Sequence, residues 1–142
     1  MLSIEQRRSE MTVYRQFTRA ARLTTIYEES LIVKEFFATR PHKQEWVTEH
    51  DIIQFLRKAG VAVPKSYGYF ADEQRAAIYK EYVPGKILST YDSHAERLAH
   101  LFVVMHESMV ITRDAHDQNV IDTDDGDLMF IDFGKALSLI HI

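Results

Sequence analysis

Thr112-Arg113-Asp114-Ala115-His116-Asp117-Gln118-Asn119, with Asp132-Phe133-Gly134 starting thirteen residues after Asn119, is the stretch on which the reading of this 142-residue chain turns. Between the two lie Val120-Ile121, a turn through Asp124-Asp125-Gly126, and Leu128-Met129-Phe130-Ile131, the pattern of a β-hairpin. A short hairpin of this kind brings an aspartate, an amide and a second aspartate to one end. Hard oxygen ligands suit Mg²⁺, which keeps several waters and takes only one or two carboxylates alongside phosphate oxygens. Asn119 and Asp132 would hold the metal. Asp114, five residues before Asn119, would orient an attacking hydroxyl and accept its proton.

Upstream, Leu98, Leu101, Phe102, Met105 and Met109 recur at helical spacing behind a capping box of Ser93 and Glu96, which predicts a helix with its apolar stripe in the core. Residues 66–70 and 76–83 read as two strands, the second ending at the turn signal Pro84-Gly85. Pro41 opens a helix that runs to Ala59 and stops at Gly60. Its stripe of Ile52, Ile53, Leu56 and Ala59 also takes in Glu49. A carboxylate on a core-facing stripe is costly unless a cation meets it, and a lysine pointing inward from a strand is the obvious partner; the ordinary alternative has Glu49 reaching water at the helix edge. Runs rich in β-branched and aromatic residues at 12–14, 23–27 and 31–37 predict three antiparallel strands, with Lys34 in the third. Ser3 and Gln6 frame a short helix over residues 4–10. The order β-β-β-α-β-β-α-β-β is an α+β layout in one domain, without a repeat or linker.

Composition narrows the function. The chain is 46% hydrophobic and 27% charged and has no cysteine, which excludes disulfide frameworks, zinc ribbons and cysteine nucleophiles. Its apolar runs are too short to span a bilayer, and residues 1–8 lack a signal-peptide apolar stretch, so the expected location is the cytoplasm. A net charge of −4 argues against nucleic acid as a partner. That charge is unevenly spread: residues 1–22 hold five arginines against two glutamates, and residues 112–142 hold seven aspartates against Arg113 and Lys135. A basic start meeting an acidic end could hold a phosphate and its metal between them. Other chemistries fail on pattern. The Asp122–Asp127 run has its glycine at the fifth position of a calcium loop instead of the sixth, the histidine pairs 94/100 and 100/106 fall on different helix faces, and no Gly-x-Ser-x-Gly occurs.

These residues, taken in order, resemble the protein-kinase-like superfamily. Lys34 in Ile32-Val33-Lys34 is similar to the third-strand lysine that contacts the α- and β-phosphates of ATP, and Glu49 to its ion-pair partner on the first large helix. Lys80-Glu81-Tyr82-Val83-Pro84-Gly85 resembles the hinge, where the backbone at Glu81 and Val83 would read the adenine edge. Residues 112–119 resemble the catalytic loop, and Asp132-Phe133-Gly134 the metal-binding triplet. The resemblance is nearest the small Bud32-like, RIO-like and lipopolysaccharide core sugar kinases. It implies a five-stranded antiparallel N-lobe with one helix over residues 1–83. A reduced C-lobe of one helix, catalytic loop and hairpin over 84–142 would complete a single minimal kinase-like domain.

The departures bear on activity. Thr18-Arg19-Ala20-Ala21-Arg22 stands where the phosphate-covering glycines would be, and Arg19 or Arg22 would have to supply charge instead. Eight residues after Gly134 leave no room for an activation segment, so the expectation is either a minimal kinase, or a partner protein or second copy that completes the C-lobe, or a truncated and inert relative. Arg113, which in the family pairs with a phosphorylated activation loop, is then structural. The expected activity is ATP- and Mg²⁺-dependent transfer of the γ-phosphate to a hydroxyl of a protein Ser or Thr. The alternatives are a lipopolysaccharide or other sugar acceptor, or a catalytically inert kinase-like binding module.

Overall fold

The computed structural model describes residues 11–19, 22–37, 44–88, 94–113 and 119–139. The helix expected over residues 4–10 and the Pro41 start of the first large helix lie outside them. Five strands, β1 (Val13–Arg19), β2 (Arg22–Tyr27), β3 (Leu31–Phe37), β4 (Ser66–Ala71) and β5 (Arg75–Glu81), form one antiparallel sheet in the order β1-β2-β3-β5-β4. The register pairs Lys34 with Thr24 on one side and Ile78 on the other, and Val33 with Thr25 and Tyr79. Paired residues share a face and successive residues alternate. One face therefore carries Phe36, Ala76 and Ile78, packed with Trp46, together with Lys34; the other carries Tyr27, Leu31, Val33, Ala77 and Tyr79. Asp72 closes the β4–β5 connection, its Oδ1 accepting the backbone N–H of Gln74 at 2.7 Å and of Arg75 at 2.9 Å.

Helix α1 spans Glu45–Lys58. Gly60 stops it as the sequence predicts: at φ +83° its N–H donates to the Arg57 carbonyl while that of Val61 reaches back to Leu56, the paired bonds of a Schellman motif. Leu56 and Val61 then meet in the core. The second helix, α2 (Ala95–Glu107), has His94 at its N-cap with no side-chain cap bond. Ser93, the expected cap, lies outside the described residues. Leu98, Leu101 and Met105 of its stripe are buried. Met109 is not. The helix ends at Ser108, and Met109 takes a left-handed φ of +61° that leaves it 47% exposed.

Three short strands escape the sequence reading. Gly85 does more than turn the chain, because β6 (Gly85–Ile87) pairs with β8 (Val120–Thr123), and β8 with β9 (Leu128–Phe130). A Cβ on Gly85 would fall onto the Asp122 carbonyl oxygen, 2.6 Å from Cγ2 of Ile121 and 2.9 Å from Cα of Thr123, so only glycine lets the strands approach this closely. The strand β7 (Val110–Ile111) pairs with β10 (Leu137–Ser138), which brings the residues after Gly134 back against the chain before Asp114.

The described residues of Met1–Trp46 and Pro64–Val83 form one compact unit, and those of Val47–Val63 and Pro84–Ile142 form another. The core of the second joins Ile52, Ile53 and Leu56 of α1 to Leu98, Leu101 and Met105 of α2 and to Val120, Phe130 and Phe133 around the hairpin. No helix among the described residues is long and apolar enough to cross a membrane.

Candidate functional site

The hairpin positions Asn119 and Asp132, the candidate metal ligands. Val120 pairs with Phe130, and one step further the Ile131 N–H donates to the Asn119 carbonyl at 3.0 Å. Asn119 and Asp132 therefore flank the same end of the β8–β9 ladder, as their spacing predicts. Phe133, fully buried in the core of the second unit, anchors the residue next to Asp132. The Asp132 Oδ1 accepts the Gly134 N–H at 3.1 Å, which fixes the carboxyl over its own turn. Asn119 is buried and Asp132 half-buried. An amide oxygen and a carboxylate fit Mg²⁺, which takes few protein ligands when phosphate oxygens and water supply the rest. No cluster of three His, Asp or Glu that would suit a metal held by protein alone exists among the described residues. Asp114 lies outside the described residues. Its neighbour Arg113 lies within them, at φ +57° with its Nε donating to the Lys135 carbonyl at 2.8 Å.

At its turn the same hairpin is clasped to α2. Arg97 donates to the Asp122 carboxylate at 2.9 Å and to the Gly126 carbonyl at 2.5 Å. The Arg97 hydrogen bond holds the Asp122 carboxyl below the usual carboxylate range, and Asp122 in turn raises the Arg97 guanidinium. One of the seven aspartates of the acidic C-terminal stretch is thereby committed to structure.

In the first unit, Lys34 sits in the middle of β3 and is 7% exposed. Glu81 ends β5, its N–H donating to the Lys65 carbonyl at 2.9 Å and its Oε1 accepting the Lys65 N–H at 3.2 Å. Val83, two residues on, is half-buried at the start of the connection to β6. Arg22, one of the two arginines expected to substitute for phosphate-binding glycines, is committed to Glu45 by a 2.5 Å ion pair and lies over the Phe36 ring. Glu49, in the second unit, is fully buried on the α1 face that carries Ile52, Ile53 and Leu56. The edge-of-helix alternative is thus excluded.

The sequence reading missed Lys80. It is 4% exposed, and the register that pairs Ile32 with Lys80 and Lys34 with Ile78 puts both lysines on one sheet face. No sequence signal marks it, because every residue from Ala76 to Lys80 is buried and the strand has no polar–apolar alternation to read.

No family model matches the sequence, and no curated protein matches it. Solved structures do. A crystal structure of WbdD superposes with a TM-score of 0.69 at 16% identity, covering 90% of this chain and 34% of that one. One described as the bifunctional kinase-methyltransferase WbdD gives 0.67 at 20% identity over 84% of this chain and 31% of that one. WbdD in complex with the kinase inhibitor LY294002 gives 0.67 at 18% identity over 89% and 33%. The chain thus spans about a third of the length of the structures it matches. At these identities the likeness concerns the fold: the chain has an α+β, protein-kinase-like fold, with the five-stranded antiparallel sheet, two helices and hairpin described above.

Proposed function

We propose that the protein is an ATP- and Mg²⁺-dependent phosphotransferase that moves the γ-phosphate to an acceptor hydroxyl, with residues 1–83 acting as the N-lobe and residues 84–142 contributing the catalytic loop and hairpin of the C-lobe. The observation that carries the reading is the hairpin end at which Asn119 and Asp132 meet, within a fold shared with a kinase-methyltransferase. Lys34 binds the α- and β-phosphates with Glu49 as its countercharge, and the backbone at Glu81 and Val83 takes the adenine edge. Asn119 and Asp132 would hold Mg²⁺, which when bound neutralises charge on the phosphate oxygens. Asp114 orients the acceptor hydroxyl. As the acceptor oxygen bonds to the γ-phosphorus, the bond from that phosphorus to the β–γ bridging oxygen breaks, ADP departs, and the hydroxyl proton passes to the Asp114 carboxylate. The Arg113-Asp114 pair favours a protein Ser or Thr acceptor over a sugar, and the cytoplasm supplies the ATP.

Transfer of labelled phosphate to protein and to sugar acceptors tests this. Asp114→Ala should lower transfer by about 10²–10⁴-fold with ATP affinity nearly unchanged; unaltered transfer would remove Asp114 from its role. Nucleotide binding without turnover in the wild type would favour an inert binding module, a reading motivated by the absent glycines. Lys34→Met and Glu49→Gln should each weaken ATP binding, with the double variant no worse than the worse single one. Additive losses would break the pairing.

A further inference from the structure

We propose that Arg22 is a positioning residue for Glu49: by holding Glu45 it fastens the first turn of α1 to strands β2 and β3, and so sets where the Glu49 carboxylate is presented one helical turn later. This rests on the phosphotransferase reading, in which Glu49 is the countercharge of Lys34, and adds what orients that carboxylate. Four side chains close a ring. Arg22 Nη2 donates to Glu45 Oε2 at 2.5 Å, and the guanidinium carbon of Arg22 lies 5.7 Å from the centroid of the Phe36 ring. Phe36 in turn meets Trp46, the residue after Glu45, with ring centroids 5.4 Å apart at a tilt of 55°. The sheet register builds the strand side of the ring, since Arg22 of β2 pairs with Phe36 of β3, two residues beyond Lys34 on the same face. A planar guanidinium suits both contacts, its edge donating to the carboxylate and its flat side lying over the aromatic.

The helix side is equally constrained. Gln44, immediately before α1, takes φ +55°, a left-handed conformation that persists only where its surroundings impose it. The contacts of Glu45 and Trp46 on the sheet supply that imposition. Glu49 follows Glu45 by four residues, on the same side of the helix and about 6 Å further along its axis. Stability does not account for the choice of an arginine. Its Nε is buried without a hydrogen-bond acceptor, which costs free energy, and the Arg22 and Glu45 side chains, 17% and 16% exposed, are largely withdrawn from water. An apolar residue would pack against Phe36 without leaving a donor unmatched. What the charged pair adds is direction, because Arg22 meets one carboxylate at one place and thereby fixes the rotation of α1.

Arg22→Gln keeps most of the side-chain length and loses the charge, and Glu45→Gln keeps the shape of the partner. Each should weaken Mg²⁺-dependent ATP binding, measured by titration calorimetry, about 3- to 30-fold. In a Glu49→Gln background neither should add more than about twofold, because the residue through which both act has already lost its charge. Losses that multiply with Glu49→Gln would overturn the positioning role, as a general loosening of the fold or a direct contact with nucleotide would produce them. Wild-type affinity in both single variants would overturn it too. Trp46, the single tryptophan, reads the fastening without nucleotide. Quenching of its fluorescence by acrylamide should increase in Arg22→Gln and in Glu45→Gln while far-ultraviolet circular dichroism stays that of the wild type, and either variant suffices where the other folds poorly. Quenching equal to wild type would overturn the fastening. A wild type that binds no ATP would defeat the phosphotransferase reading by itself, while the Trp46 result still decides whether Arg22 holds α1.

Discussion

Replacing Gly85 by alanine should cost the second unit far more stability than the same change at Gly126, although both glycines have positive φ, +155° and +89°. At Gly126 the added methyl meets nothing within 4 Å. Its cost is the left-handed backbone alone, about 1 kcal/mol once the stiffer unfolded chain is counted. At Gly85 the methyl falls onto the main-chain carbonyl oxygen of Asp122, 2.6 Å from the Ile121 side-chain Cγ2 and 2.9 Å from Thr123 Cα. The strand cannot retreat freely, because β8 is held on its other edge by β9 through the pairs Ile121–Met129 and Asp122–Leu128. Relief requires overpacking strain of about 1–3 kcal/mol, and the loss of one or two ladder bonds at about 1 kcal/mol each adds to it. A total near 4 kcal/mol is a large share of the 5–15 kcal/mol typical of a domain, and it lowers the melting midpoint by roughly 12 °C. Urea titration followed by far-ultraviolet circular dichroism measures both variants against wild type. Trp46, the single tryptophan, packs at a tilt against Phe36 in the first unit and gives a second probe by fluorescence. A Gly85→Ala protein that loses no more than Gly126→Ala would refute the reasoning.

Phe133→Ala should cost about 3–5 kcal/mol, as a fully buried aromatic at the second unit's core, and a loss under about 1 kcal/mol would show that the side chain is not packed as described. With Mg²⁺ and ATP at a hundredfold over Kd, the wild-type midpoint should rise by roughly 8 °C, and Asp132→Asn should abolish the Mg²⁺-dependent part; an equal rise in the variant would take Asp132 out of the metal site. Arg97 holds the folded Asp122 carboxyl below its unfolded value of about 3.9. The stabilisation from that pair is therefore complete above about pH 4 and is lost as pH falls through the lower, folded value. Asp122→Asn should flatten the fall of the melting midpoint as pH drops below about 4, and parallel curves would count against the Arg97 clasp.

The elements legible in the sequence are those whose signals are local. The five sheet strands carry runs of β-branched and aromatic residues, and α1 and α2 carry 3.6-residue stripes. The glycine stop at Gly60 and the hairpin turn at Gly126 were visible from residue type alone. What was not legible depends on chain segments far apart. The two-residue strands β7 and β10 exist only because each finds the other across 25 intervening residues, and neither has a pattern long enough to read. Met109 continued the α2 stripe on paper, but the helix ended at Ser108 before reaching it. The placing of Asn119 and Asp132 at one hairpin end was readable because hairpin register converts spacing into proximity. The Arg113 hydrogen bond was invisible, since a main-chain carbonyl such as that of Lys135 is offered by every residue and leaves no mark in the sequence.

Helix α1 has a consequence for dissecting the chain. Glu45 and Trp46 belong to the first unit, while the turns bearing Ile52, Ile53 and Leu56 supply part of the second unit's core, together with Val61 and Val63 beyond the helix. A cut at residues 83/84 would therefore divide the second unit between the two fragments. The N-terminal piece would carry an apolar helix face stripped of its neighbours, and the C-terminal piece would lack five core side chains. The N-terminal piece keeps the whole five-stranded sheet, whereas the C-terminal piece must borrow those five side chains to complete its core, which makes the 83/84 junction a natural place to build a split reporter whose C-terminal half acquires its full core only on meeting the other.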